Sequence, residues 1–159
     1  MKKFSVLFVC YGNICRSPSA HGVFRSKLVG STVADIVTVD SAATHDLHPG
    51  DAPDPRSRRH ALNRGYDISD LRARQVTAAD AEDFDLILVM EQQNLEALKL
   101  VWPHSHWRKV RVVTDFCSTY KVDHIPDPYY GGPSDFELVL DILEDATTGI
   151  LQYVEQALR

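Results

Sequence analysis

The sequence predicts an α/β protein: an open, four-stranded parallel sheet with helices on both faces. Three observations predict it. Strand-like runs alternate with helical patterns along the whole chain, the order that builds parallel sheets through right-handed crossovers. The runs at 4–9 and 85–90 are almost continuously apolar, as strands buried on both faces are. The 159 residues suit one domain, 1–159, whose core needs neither disulfide nor metal.

Residues 4–9 are the first strand. Ser17-Pro18 reads as a helix start, with serine at the N-cap and proline at the first helical position, and the helix runs to near Gly30-Ser31. Ile36-Val37-Thr38-Val39 is β-branched and predicts the second strand. Residues 40–55 read as loop. Asp54-Pro55 starts a second helix that Gly65 stops. Its Arg56, Arg58, Arg59 and Arg64 read as a solvated face, with a substrate-facing basic rim as the sharper alternative. Thr77-Ala78-Ala79-Asp80 opens a short helix. Residues 85–90 are the third strand. Leu95 and Leu98 mark a helix, and Val110, Val112 and Val113 mark the fourth strand. Residues 115–133 carry three prolines and two glycines, and a loop that long in a compact domain is usually functional or disordered. The last helix starts near Ser134-Asp135 and shows an apolar stripe from Phe136 to Leu158. No repeat, linker or low-complexity tract interrupts this order.

Bulk properties exclude some functions. A net charge of -5 disfavours a nucleic-acid partner. No apolar run is long enough for membrane insertion, and Met1-Lys2-Lys3 leads straight into a short strand, so no signal peptide fits. Three cysteines without an export signal point to a reducing, cytoplasmic setting, and their odd number argues against a disulfide framework.

The chemistry concentrates after the first strand, in Cys10-Tyr11-Gly12-Asn13-Ile14-Cys15-Arg16-Ser17-Pro18. A loop entering a helix N-terminus gathers unpaired N–H groups and the positive end of the helix dipole, which makes it an anion site. The same field favours a thiolate nucleophile. Arg16 adds a planar fork for two phosphate oxygens. Together these groups point to phosphoryl transfer through a phosphocysteine. Gly12 is expected at positive φ, Asn13 tolerates the left-handed region, and Ser17 both caps the helix and donates to the Cys10 sulfur. Rival anion loops are absent: neither G-x-x-x-x-G-K-[ST] nor G-x-G-x-x-G occurs. A zinc site from Cys10, Cys15, His45 and His48 lacks a second close cysteine pair, so no metal or cofactor is expected.

Val9 to Pro18 reads V-C-x-G-N-x-C-R-S-P and resembles the active-site loop of the low-molecular-weight protein tyrosine phosphatases. Further matches follow in that family's order. They are Asp40-Ser41-Ala42-Ala43-Thr44, Asp54-Pro55-Arg56, Ala73-Arg74-Gln75-Val76, Ile87-Leu88-Val89-Met90, and Ile125-Pro126-Asp127-Pro128-Tyr129-Tyr130. The resemblance implies a flavodoxin-like fold and metal-free hydrolysis of phosphotyrosine and small aryl phosphates. It implies Cys10 as nucleophile, Arg16 as phosphate clamp, and Asp127 as general acid for the leaving phenolate and then base for water. Chemistry asks for such a group, since the departing phenol needs a proton. An aspartate between two prolines on a loop over the site is placed for partial desolvation. Tyr11, Gly12, Asn13, Ile14, Cys15 and Ser17 are expected around the bound phosphate, with Leu47, Tyr129 and Tyr130 as cleft walls. In the family the second loop cysteine, here Cys15, can pair with the nucleophile under oxidation. Cys117 is expected to be a plain thiol.

The sequence also departs from the family pattern. Tyr11 stands where leucine is common, Leu47 where many members place tryptophan, and Glu91 where aspartate is usual. Leu71 replaces a histidine that bonds the loop asparagine and serine, so Asn13 and Ser17 are expected to turn to Ser41 or water. The expected partners are a tyrosine-phosphorylated protein and a phosphate-like oxyanion, and the chain is expected as a monomer or weak homodimer. Arsenate reduction is the second reading, but it needs relay cysteines and Cys117 is alone. Phosphoarginine phosphatases tend to carry threonine where Ile14 sits. A non-catalytic anion-binding module is the third reading, and intact Cys10, Arg16 and Asp127 argue against it.

Overall fold

A computed structural model describes residues 3–159. Strands β1 (Phe4–Cys10), β2 (Val37–Ala43), β3 (Leu86–Val89) and β4 (Val110–Val112) form one parallel sheet in the order β2-β1-β3-β4. The helices are α1 (Arg16–Leu28), α2 (Pro55–Asn63), α3 (Ala78–Asp83), α4 (Gln92–Val101) and α5 (Pro133–Ala157). This is the predicted flavodoxin-like arrangement. The chain leaves β1 to one side for β2 and returns to the other side for β3. A crevice therefore opens at the carboxyl ends of β1 and β3, where such sheets bind ligands.

Strand β1 is apolar throughout because both of its faces are covered. Val6, Phe8 and Cys10 point into the core made with α1 and α5, where the Phe8 and Phe24 rings meet edge to face at 5.7 Å. Leu7 and Val9 point into the opposite core with Leu98 and Trp102. A third cluster joins Val23, Ala61, Ile68 and Leu140, with Leu71 packed against it.

Three boundaries and one helix face differ from the sequence reading. Strand β2 runs on to Ala43, because Asp40 to Ala43 pair in register with Leu7 to Cys10. Strand β4 stops at Val112, and Val113–Phe116 is a 3₁₀ turn whose Val113 is still core. Helix α1 starts at Arg16 with no side-chain cap, so Ser17 lies inside the first turn and its hydroxyl is used elsewhere. The arginine face of α2 is not simply solvated, since Arg64 forks onto Glu137, Asp141 and Glu144 of α5. Asp54 caps α2 as predicted, accepting the Arg56 N–H at 2.8 Å, and Gly65 stops the chain at φ 90°.

The long loop before α5 is held at both ends. Asp145 accepts the N–H groups of Ser118, Thr119 and Tyr120 at 3.1, 3.0 and 2.9 Å. The Ile125 N–H donates to the Met90 carbonyl at 2.8 Å, just past the end of β3. That bond places Asp127 over the end of β1.

Candidate active site

Cys10 ends β1 and is buried at the base of the loop that follows. The Asn13 N–H donates to Sγ at 3.2 Å, and Ser17 Oγ lies 3.0 Å away. Ser17 Oγ already accepts from Asn13 Nδ2 at 2.7 Å, so its single proton is free for the sulfur. Two donors thus converge on Cys10, placed to stabilise negative charge on the sulfur as it leaves phosphorus. The N–H groups of Gly12, Ile14 and Cys15 have no partner among the described residues, leaving a ring of donors at the start of α1.

The bracing of the loop corrects the sequence reading in three ways. Asn13, at φ 59°, takes the left-handed position, and Gly12 does not. Gly12 is instead a close-approach site, since a Cβ there would lie 3.3 Å from His48 Cδ2. Leu71 leaves no imidazole for Asn13, but Ser41 does not replace it. Ser41 pairs with the His21 Nδ1 at 3.1 Å, while Asn13 Oδ1 accepts the Arg74 N–H at 3.1 Å. Arg74 is itself fixed: its carbonyl accepts the Ala43 N–H at 2.8 Å, and its guanidinium bridges Asp40 and Asp80.

Arg16 is buried under the loop. It donates to the Glu91 carboxylate and, at 3.0 Å, to the Ile125 carbonyl. Its Nη2 lies 3.8 Å from Asp127 Oδ2. One guanidinium thus ties the end of β3 to the loop that carries Asp127. Asp127 accepts the Tyr129 N–H at 3.1 Å and is 49% exposed, more open to solvent than its place between prolines suggested.

Cys10, Arg16 and Asp127 line one cleft of about 380 Å³, with Tyr11, Gly12, Ile14, Cys15, Leu47, Tyr129 and Tyr130. Asn13 and Ser17 are buried behind the loop and shape it from below. The Tyr129 and Tyr130 rings meet edge to face at 4.9 Å. Arg56 fixes this wall, donating to the Tyr129 carbonyl at 2.9 Å with its guanidinium 5.4 Å from the Tyr129 ring. On the other side Tyr11 packs on His45 at 4.2 Å.

Three contributors escaped the sequence reading. His48 lines the cleft, Glu91 holds Arg16, and Arg74 holds Asn13. Glu91 carried a usable signal, a carboxylate just past the end of a buried strand at the same sheet edge as Cys10. The Arg74 contact runs through a backbone amide and leaves no mark in the sequence.

Cys15 is buried, and that burial pushes its thiol up to about 12, with Ser57 opposing and the Asp54 and Cys10 charges adding to the rise. It is a protonated thiol beside a cleft that needs a thiolate at Cys10. Cys117 lies elsewhere, 3.8 Å from the Ile142 carbonyl, and burial followed by the Asp145 charge raises it to about 12 as well. Among the described residues no three His, Cys, Asp or Glu side chains group as a metal site. No helix there is long and apolar enough to cross a membrane.

Comparison with known proteins agrees with this geometry. The family model of the low molecular weight phosphotyrosine protein phosphatases matches residues 5–159. A putative low molecular weight protein-tyrosine-phosphatase of Synechocystis sp. is 39% identical over 147 residues, covering 92% of this chain and 93% of that protein. The low molecular weight phosphotyrosine protein phosphatase of Sus scrofa is 40% identical over 142 residues, covering 85% of each. Among solved structures, a protein tyrosine phosphatase from Entamoeba histolytica with Hepes in the active site superposes with a TM-score of 0.94 at 36% identity. It covers 99% of this chain and 100% of that one.

Proposed function

The chain belongs to the low molecular weight phosphotyrosine protein phosphatases, hydrolases that work through a phosphocysteine, and on that premise we propose that Cys10, Arg16 and Asp127 carry the reaction here. The observation that supports these roles is their meeting in one cleft: a sulfur, a guanidinium and a carboxyl around a ring of free N–H donors.

The phosphate dianion of phosphotyrosine settles into the loop with its three terminal oxygens toward the N–H groups. The free N–H groups and the Arg16 fork hold its outer oxygens, and they hold them best as charge spreads in the transition state. Cys10 Sγ attacks phosphorus in line with the aryl oxygen. The P–O bond breaks as the S–P bond forms, and Asp127 delivers its proton to the phenolate. The Ser17 hydroxyl donates to the sulfur and steadies its negative charge as it leaves phosphorus. In the second step Asp127, now a carboxylate, takes a proton from water as the water attacks phosphorus. The S–P bond breaks, Cys10 leaves as thiolate, and phosphate departs. Leu47, Tyr129 and Tyr130 give the phenyl ring apolar walls. The substrate class is phosphoprotein, and the chain works in a reducing compartment that keeps Cys10 free.

Trapping the intermediate tests the assignment. Rapid acid quench during turnover of an aryl phosphate labelled at phosphorus should leave label on the protein, bound through Cys10. The Cys10→Ser variant should carry no phosphorus label and show no turnover. Full turnover by that variant would overturn the mechanism.

A further inference from the structure

The outer face of α2 carries a cationic groove that the reaction does not use. We propose that this groove receives acidic side chains flanking the phosphotyrosine of a protein substrate, an inference that rests on the phosphatase reading. Pro55, Arg58, Arg59, Leu62 and Asn63 recur at helical spacing and form one stripe. With Asp67 and Ser69 they line a groove of about 320 Å³. The other faces of α2 are occupied. Ser57 and Ala61 are buried, and His60 and Arg64 meet carboxylates of α5.

Arg58 and Arg59 differ from the arginines around them. Arg25, Arg56, Arg64 and Arg74 each face a carboxylate. Among the described residues neither Arg58 nor Arg59 makes an ion pair, and Arg58 Nε is buried with no hydrogen-bond partner. A buried N–H left unpaired is unfavourable, and two unanswered guanidiniums in one groove attract an anion even on a chain of net charge -5. Asp67 is the one carboxylate lining the groove. It accepts the Ser69 N–H at 3.0 Å and leaves the groove net positive.

Position links the groove to the cleft. The Asp54 N–H donates to the Ile14 carbonyl of the phosphate loop at 2.8 Å. Arg56 holds the Tyr129 wall and stands three residues before Arg59, on the same side of the helix. Arg59 lies about one turn from that rim, about 5 Å along the axis, and Arg58 continues the groove beside it on the adjoining face of the helix. An extended peptide advances about 3.3 Å per residue, so a carboxylate a few positions from the phosphotyrosine reaches them. The guanidinium fork matches a carboxylate, and exposed Leu62 adds apolar contact.

Two phosphotyrosine peptides test this, one with aspartates on both flanks and one with serines, beside a small aryl phosphate. The parent protein should favour the acidic peptide about three- to tenfold in kcat/KM, with the preference fading in high salt. In the Arg58→Gln/Arg59→Gln double variant the ratio should fall to about one through KM, while aryl phosphate turnover stays parental. Equal kcat/KM for the two peptides in the parent overturns the proposal, as does an unchanged ratio in the double variant. If the double variant misfolds, Arg59→Gln alone, at an exposed position, must lower the ratio, and failure to do so overturns it. A parental dimer that the double variant splits would assign the groove to self-association and overturn it too. No aryl phosphate turnover in the parent would remove the premise itself, an outcome separate from a lost peptide preference.

Discussion

Asp127 has one job that depends on the substrate and one that does not. In the first step its proton matters only as much as the leaving oxygen needs it. In the second step the attacking water always gives up a proton. Asp127→Ala should therefore slow an unsubstituted phenyl phosphate by about 10²–10⁴ and slow an activated nitrophenyl ester far less. Binding of inorganic phosphate should hold or tighten, because a carboxylate whose Oδ2 lies 3.8 Å from Arg16 is gone. Steady-state kinetics across a series of leaving groups, with phosphate as competitive inhibitor, measures both. Equal slowing for every ester would remove Asp127 from the acid role. Glu91 supplies the counterweight on the far side of Arg16, and its extra methylene relative to aspartate still reaches the guanidinium.

At the scale of elements, the phosphate loop is a strand end and a helix start joined through Asn13. Its side chain links Ser17 below to the Arg74 amide beside it, and its backbone sits at φ 59°. Asn13→Ala loses both bonds, leaves the Arg74 N–H unpaired and keeps a β-carbon in the left-handed region. We expect a loss of about 1–3 kcal/mol and a raised KM. Asn13→Gly loses the bonds but relieves the backbone, so it should recover about 1 kcal/mol of that loss. Chemical denaturation of the three proteins reads the difference, and identical midpoints would show that Asn13 braces nothing. The loop's chemistry was legible because it depends on residue types at fixed spacing: a cysteine, an arginine and a helix start. Its bracing was not, because Arg74 contributes a backbone amide 61 positions away. Gly12 looked like a turn glycine and is a packing glycine, a distinction set by His48 across the cleft. Strand β2 was cut short in the sequence because Asp40 and Ser41 are polar, while its register against β1 is set by the sheet.

The whole molecule holds a buried imidazole that ties stability to pH. His21 sits on α1 with Nδ1 against Ser41. Burial, followed by the nearby Arg25 charge, lowers it to about 4 from 6.5, with Asp40 and Asp70 opposing. The unfolded chain binds a proton at this site below 6.5 and the folded chain does not until about 4. Stability from neutral His21 is therefore complete above 6.5 and is lost as pH falls toward 4. The full loss is on the order of 3 kcal/mol, with about 2 kcal/mol gone by pH 5. A separate loss begins lower. Glu137 is held below the usual carboxylate range by Arg64 and then His60, so the bridge from α2 to α5 weakens only as pH drops through the carboxylate range. His21→Gln keeps a side chain able to bond Ser41 but removes the proton site. Urea unfolding should give the parent about 2 kcal/mol less stability at pH 5 than at pH 7.5, and the variant a much smaller difference. A parent and a variant that lose the same stability over that interval would clear His21 and move the linkage to another group. Mild acid thus weakens the helix that begins at the phosphate loop, because His21 is carried on α1.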